Sequence, residues 1–260
     1  MSAPEPGGAE AGPGQDLARL FAQLTHGVER DVPRPHLVRY ETPVTIALEG
    51  PGARRHERFV ADYADRLRRN SGIDIALGGG PANLHVRFVG KDFFSVAPGV
   101  ACLVAPGNAR WHELAADPHS YGIRATARMT AIEHMTVFIP ASASEHRTQS
   151  CLLEEIAQAL GPANDLRHFG DTIFNDDDVH MWPTEFDYLM LRVLYSPELR
   201  TGMSRAESEQ AALRVIARVA GQPETMIAAS QDTQELSARE TARLKAPGPA
   251  AAFAAAGAER

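Results

Sequence analysis

No stretch of the 260-residue chain is long and apolar enough for a bilayer, where a spanning helix needs about 20 consecutive apolar residues. No basic stripe is present. Lys and Arg number 26 against 33 Asp and Glu, a formal net charge of -7, which argues against nucleic acid as a partner. The opening MSAPEPGGAEAGPG has neither a basic n-region nor an apolar h-region and does not read as a signal peptide. The turn Gly78, Gly79, Gly80, Pro81 is not followed by a helix with Lys–Ser/Thr, which excludes a phosphate loop. Cysteine is scarce. Cys102 and Cys151 suit either two plain buried thiols or one disulfide, and the residues alone leave both open. What remains is 44% hydrophobic and 23% charged, ordinary for a globular protein with a real core.

The most informative stretch is EHRTQSCLLEEIAQALGPAND, from Glu145 to Asp165. Leu152, Leu153, Ile156 and Leu160 recur at helical spacing, and Gly161 with Pro162 stops the helix. In a metallopeptidase helix, HExxH places two His ligands one turn apart with a Glu base between them, and HExxHxxGxxH adds a turn and a third His. The same frame here reads Glu154, Glu155, two residues, Gln158, two residues, Gly161, two residues, Asn164. The Glu at the base position and the Gly are kept, and all three His are replaced.

Glu155 is therefore the candidate general base. Glu154, Gln158, Asn164 and Asp165 are candidate binding residues, and the first three are also the candidate metal ligands, with Asp165 as an alternative to Asn164. Zinc prefers imidazole and thiolate, so it is the least expected ion; one carboxylate with two amides suits calcium or magnesium better, and weakly. No cofactor is expected. The competing reading makes Glu154, Glu155 and Gln158 the solvated side of an ordinary amphipathic surface helix.

Periodicity and punctuation predict helices over 16–28 and 54–70, the second capped by Gly72, and strands over 44–48, 73–77, 83–89, 100–104, 122–127 and 131–139. Residues 111–121 read as a loop in which His112 and His119 are surface imidazoles. After the central helix, a loop over 164–183 carries Asp165, Asp171, Asp176, Asp177 and Asp178 with His168 and His180. It reads as solvated turns, with a hard-cation site or cleft rim as the alternative. Thr184 with Asp187 and Ser204 with Glu207 are capping boxes that open two further helices. A last weak helix is expected over 232–245.

The run from Ser150 to Ser204 resembles an uncharacterised bacterial family, domain of unknown function 2927. The residues that carry the likeness are Cys151, Glu154, Glu155, Gln158, Leu160, Gly161, Asn164, Asp165, Phe174, Asn175, Asp176, Leu194, Tyr195, Gly202 and Met203. That family is similar to a degenerate branch of the zincin metallopeptidases. In a second, looser likeness, to matrixin-type metallopeptidases, Thr172, Ile173 and Phe174 fall where a Met-turn would stand, with Ile173 in place of Met, and the helix closing at Leu194 and Tyr195 resembles a later helix that ends in Leu-Tyr. The resemblance implies an exported protein and a Cys102–Cys151 bridge; a cytoplasmic setting is the alternative.

The expected fold is α+β, a zincin-like mixed sheet with an active-site-type helix at 146–161 and C-terminal helices. Residues 1–15 are expected as a disordered segment, 16–222 as the domain, and 223–260 as a helix and flexible tail. The expected function is a non-peptidase, envelope-associated binding or accessory protein for a peptide, protein or envelope ligand. The alternative is a hydrolase that uses Glu155 as base, with or without a hard cation.

Overall fold

The structure is a computed structural model that describes residues 13–28, 32–90, 101–107, 118–167, 169–175 and 182–220. Helix α1 (Pro13–His26) runs into two short antiparallel strands, β1 (Gly27–Val28) and β2 (Val32–Pro33). Strand β3 (Val44–Glu49) and a 3-10 turn (Ala53–His56) precede helix α2 (Glu57–Ser71). Gly72 ends α2 at φ 75°, a left-handed conformation that a side chain would resist. Strands β4 (Ile75–Leu77), β5 (Leu84–Val89) and β6 (Leu103–Pro106) follow, then α3 (Pro118–Ala127), β7 (Met135–Pro140) and α4 (Glu145–Ala159). Helices α5 (Glu185–Leu194) and α6 (Arg205–Ala220) complete the described elements.

The fold is α+β around a mixed five-stranded sheet in the order β4-β3-β5-β7-β6. Strands β4, β3, β5 and β7 are parallel, and β6 closes one edge antiparallel to β7. The Gly78–Pro81 turn therefore makes no hairpin, because β4 and β5 lie on opposite sides of β3. Strand β5 alternates, with Leu84, Val86 and Phe88 buried and His85 and Arg87 half-buried, whereas β7 is buried from Met135 through Ile139. The last pattern is that of a strand covered on both faces.

Two apolar cores meet at α4. One lies between the sheet, α2 and α4 and includes Ile46, Val60, Tyr63, Val137, Leu152 and Ile156. The other gathers Phe21, Leu24, Phe174, Met190, Leu194 and Val215 from α1, α5, α6 and the loop between α4 and α5, and Ala157 of α4 reaches into it. Contact with both cores leaves α4 little solvent-facing surface. Every residue from Thr148 to Ala159 is buried except Glu154.

Some expectations need correction. Residues 122–127 are helical, not a strand, and belong to α3; burial falls on Ile123 and Thr126, three apart, which is a helix period. That helix starts at Pro118, inside the stretch expected as a loop. The strand expected over 100–104 lies at Leu103–Pro106. The expected strand over 131–139 is confined to Met135–Pro140, and α4 ends at Ala159 rather than 161. His112, His168, His180, Asp176, Asp177, Asp178 and the helix expected over 232–245 lie outside the described residues.

Candidate functional site

The frame helix α4 does not present a solvated face. Glu155 is 6% exposed and Gln158 4%, while Glu154 is half-buried, so the surface-helix reading fails for the first two. Ser144 caps the helix, accepting from the Arg147 amide at 3.3 Å. Tyr63 of α2 donates its hydroxyl to the Leu153 carbonyl at 2.9 Å, and Tyr195 donates to the Leu160 carbonyl at 2.8 Å. The Leu-Tyr close of α5 therefore fixes the C-terminal end of α4. A disulfide between Cys102 and Cys151 ties the start of the edge strand β6 to α4, one turn before Glu154 and Glu155.

Beyond α4 the chain turns at Gly161, where φ is 135° and a Cβ would lie 2.7 Å from the Val38 carbonyl oxygen and 2.9 Å from Leu194. Only glycine meets both demands. The Gly161 carbonyl then accepts from Arg34 Nη2 at 2.7 Å.

This turn docks on the C-terminal end of α1, where four carbonyls have no partner within the helix. Each of them receives a donor. The Asn164 side-chain amide donates to Gln23 O at 3.2 Å. The backbone amides of Ala163 and Asn164 donate to Leu24 O at 3.1 and 3.3 Å. Arg34 donates from Nε to Thr25 O at 3.0 Å, and its backbone amide donates to His26 O at 2.9 Å. Burial lowers Arg34 to about 10, which leaves it a cation at neutral pH, well placed at the negative end of a helix dipole. Gly27 is as small as it can be for the same reason: a Cβ there would sit 2.7 Å from the Asn164 side chain.

Beside this dock, His26 is buried and its Nε2 lies 2.7 Å from Ser208 Oγ. The Ser208 hydroxyl donates to Arg205 O at 3.0 Å, so it accepts from His26, which assigns the proton to Nε2. Burial, together with the nearby Arg34 charge, holds this imidazole down at about 4.

The frame positions are thus occupied as follows. Gln158 donates its amide to Asp165 Oδ1 at 3.2 Å, which brings those two residues together. Asn164 turns towards α1. Asn164 and Asp165 line a cleft of about 320 Å³ with Leu20, Gln23, Leu166, Arg167 and Phe169; Glu154, Glu155 and Gln158 are not among its lining residues. Among the described residues, no group of three or more His, Cys, Asp or Glu side chains is placed to hold a metal ion.

In the loop between α4 and α5, Thr172, Ile173 and Phe174 are buried and organised by Asp187. Its carboxylate accepts from Thr172 Oγ1 at 2.5 Å, Ile173 N at 3.1 Å, Thr184 N at 2.7 Å and Thr184 Oγ1 at 3.1 Å. Burial pushes this carboxyl up to about 6, against the pull of those donors. Asp187 read as a helix cap from its spacing, but nothing local showed that it also holds the turn before the helix. Arg34, between two prolines, gave no signal of its own.

A family model described as Protein of unknown function (DUF2927) matches residues 14–214. No curated protein and no solved structure matches the chain.

Proposed function

The chain belongs to the DUF2927 family, and on that premise we propose that it is a zincin-like, non-peptidase binding or accessory protein of the cell envelope. One observation carries this reading. The two amide side chains at the ligand positions of the frame act as internal donors, Gln158 to Asp165 and Asn164 to the end of α1. The amides are tied to different partners, and only Asn164 of the three candidate ligands lines the cleft, so Glu154, Gln158 and Asn164 do not share one hollow as a metal site requires. The mixed sheet with the frame helix packed on it, and the Leu-Tyr close of α5 on that helix, support the zincin-like ancestry. The Cys102–Cys151 disulfide supports an oxidising, extracytoplasmic setting. The ligand, a peptide, protein or envelope component, enters the cleft beside the frame turn.

Elemental analysis of protein purified without chelator tests this. The expected result is no stoichiometric zinc, calcium or magnesium, and a melting temperature unmoved by millimolar additions of each. One ion per chain, with a stabilisation that Gln158→Ala removes, would overturn it.

A second reading, a hydrolase with Glu155 as general base, is favoured by the burial of that carboxylate, since buried acids gather at functional sites. Glu155→Gln is its test: the reading requires a folded variant that has lost hydrolysis of a generic ester or peptide substrate the native chain turns over.

A further inference from the structure

The cleft between α1 and the frame turn has walls of two kinds. Leu20, Leu166 and Phe169 are its apolar lining, and Gln23, Asn164, Asp165 and Arg167 its polar lining, which includes one carboxylate and one guanidinium. Its volume of about 320 Å³ falls at the small end of ligand sites, which run from about 300 to 1,000 Å³. Most of it is fixed in advance. Asp165 is held from behind by the buried Gln158 amide at 3.2 Å. Leu166 is pinned by its amide to Phe174 O at 2.6 Å, and the Phe169 ring packs on Phe186 with centroids 4.5 Å apart. Preorganised walls of this kind spare a ligand the cost of ordering them.

A lining that combines apolar side chains with one carboxylate and one guanidinium selects a small molecule that carries both charges and an apolar body. We infer that the cleft binds a free apolar amino acid or dipeptide as its zwitterion, the ammonium on Asp165, the carboxylate on Arg167 and the side chain on Leu20, Leu166 and Phe169. This rests on the binding reading above and gives it a ligand class.

Calorimetric titration of the full chain at pH 7 tests it, with leucyl-phenylalanine, its N-acetyl form and its C-terminal amide as probes. The free dipeptide is expected to bind, and each capped form about tenfold more weakly, as for loss of one charged hydrogen-bonding partner. Arg167→Ala, an exposed change that folding tolerates, should weaken the free dipeptide to the level of the amide and leave the amide unchanged. Asp165→Asn should do the same against the N-acetyl form. Equal binding of free and capped probes, or no binding of any of them, would overturn the inference. The binding reading itself fails on a different measurement, the bound metal.

Discussion

Helices α5 and α6 open with the same device in opposite surroundings. Thr184 with Asp187 and Ser204 with Glu207 each form a reciprocal capping box: the Asp187 and Glu207 amides donate to the Thr184 and Ser204 hydroxyls, and the Thr184 and Ser204 amides donate to the two carboxylates. Asp187 is 0% exposed, and its carboxylate also holds Thr172 and Ile173 in the loop before the helix. Glu207 is exposed and serves only its own helix end. Burial raises Asp187 to about 6, while the hydroxyl and amide of Ser204 hold Glu207 below its usual range. A shared four-residue pattern therefore fixes the same local geometry, and burial alone decides whether it is a surface cap or the hub of a core.

The strongest way to break this comparison is Asp187→Asn. An amide has one acceptor oxygen where the carboxylate serves four donors, and its NH2 faces groups that also donate. The expected loss is about 3 kcal/mol or more in urea unfolding, as for removal of a buried charged partner. Ser204→Ala removes the exposed box and should cost about 1 kcal/mol, the usual worth of an N-cap hydroxyl. Equal losses at the two sites would erase the distinction.

The pH dependence sharpens it. Asp187 holds its proton in the fold up to about 6, above its ordinary 3.8, so its contribution is full below that lower value and is lost as pH rises through 6. The gap between the native chain and Asp187→Asn should therefore widen as pH falls from 7 to 4. Glu207 has the opposite sign: its contribution is present above 4.5 and fades as pH falls below it, so Glu207→Gln should matter least in acid. His26, held at about 4, destabilises the fold as pH falls from 6.5 and masks the Asp187 slope in the native chain alone. Measuring both variants against the native chain at each pH cancels it.

Punctuation was the legible part of this sequence. Gly72 and Gly161, both capping boxes and the strand Val44–Glu49 stand where spacing places them, because caps and period-two alternation are decided by a few neighbouring residues. The segment 122–127 misled for the same reason. Its short run of small and β-branched residues fits either period, and only its packing beside β6 selects the helix. At the site, the frame from Glu154 to Asn164 was visible as spacing, but its use was not. Asn164 caps a helix 141 residues earlier in the chain, and Arg34 reaches Gly161 across 127.

By itself the sequence determined the stops at Gly72 and Gly161, the two capping boxes, the strand at Val44–Glu49 and the spacing of Glu154, Glu155, Gln158, Gly161 and Asn164, all consequences of short-range sterics and hydrogen bonding. Tertiary structure alone decided that α4 is enclosed by two cores, that Gln158 and Asn164 donate inwards, and that Asp187 is buried while Glu207 is not. Burial and long-range donors come from distant segments that arrive together only in the fold, and a carboxylate or amide takes its proton affinity and its task from what surrounds it.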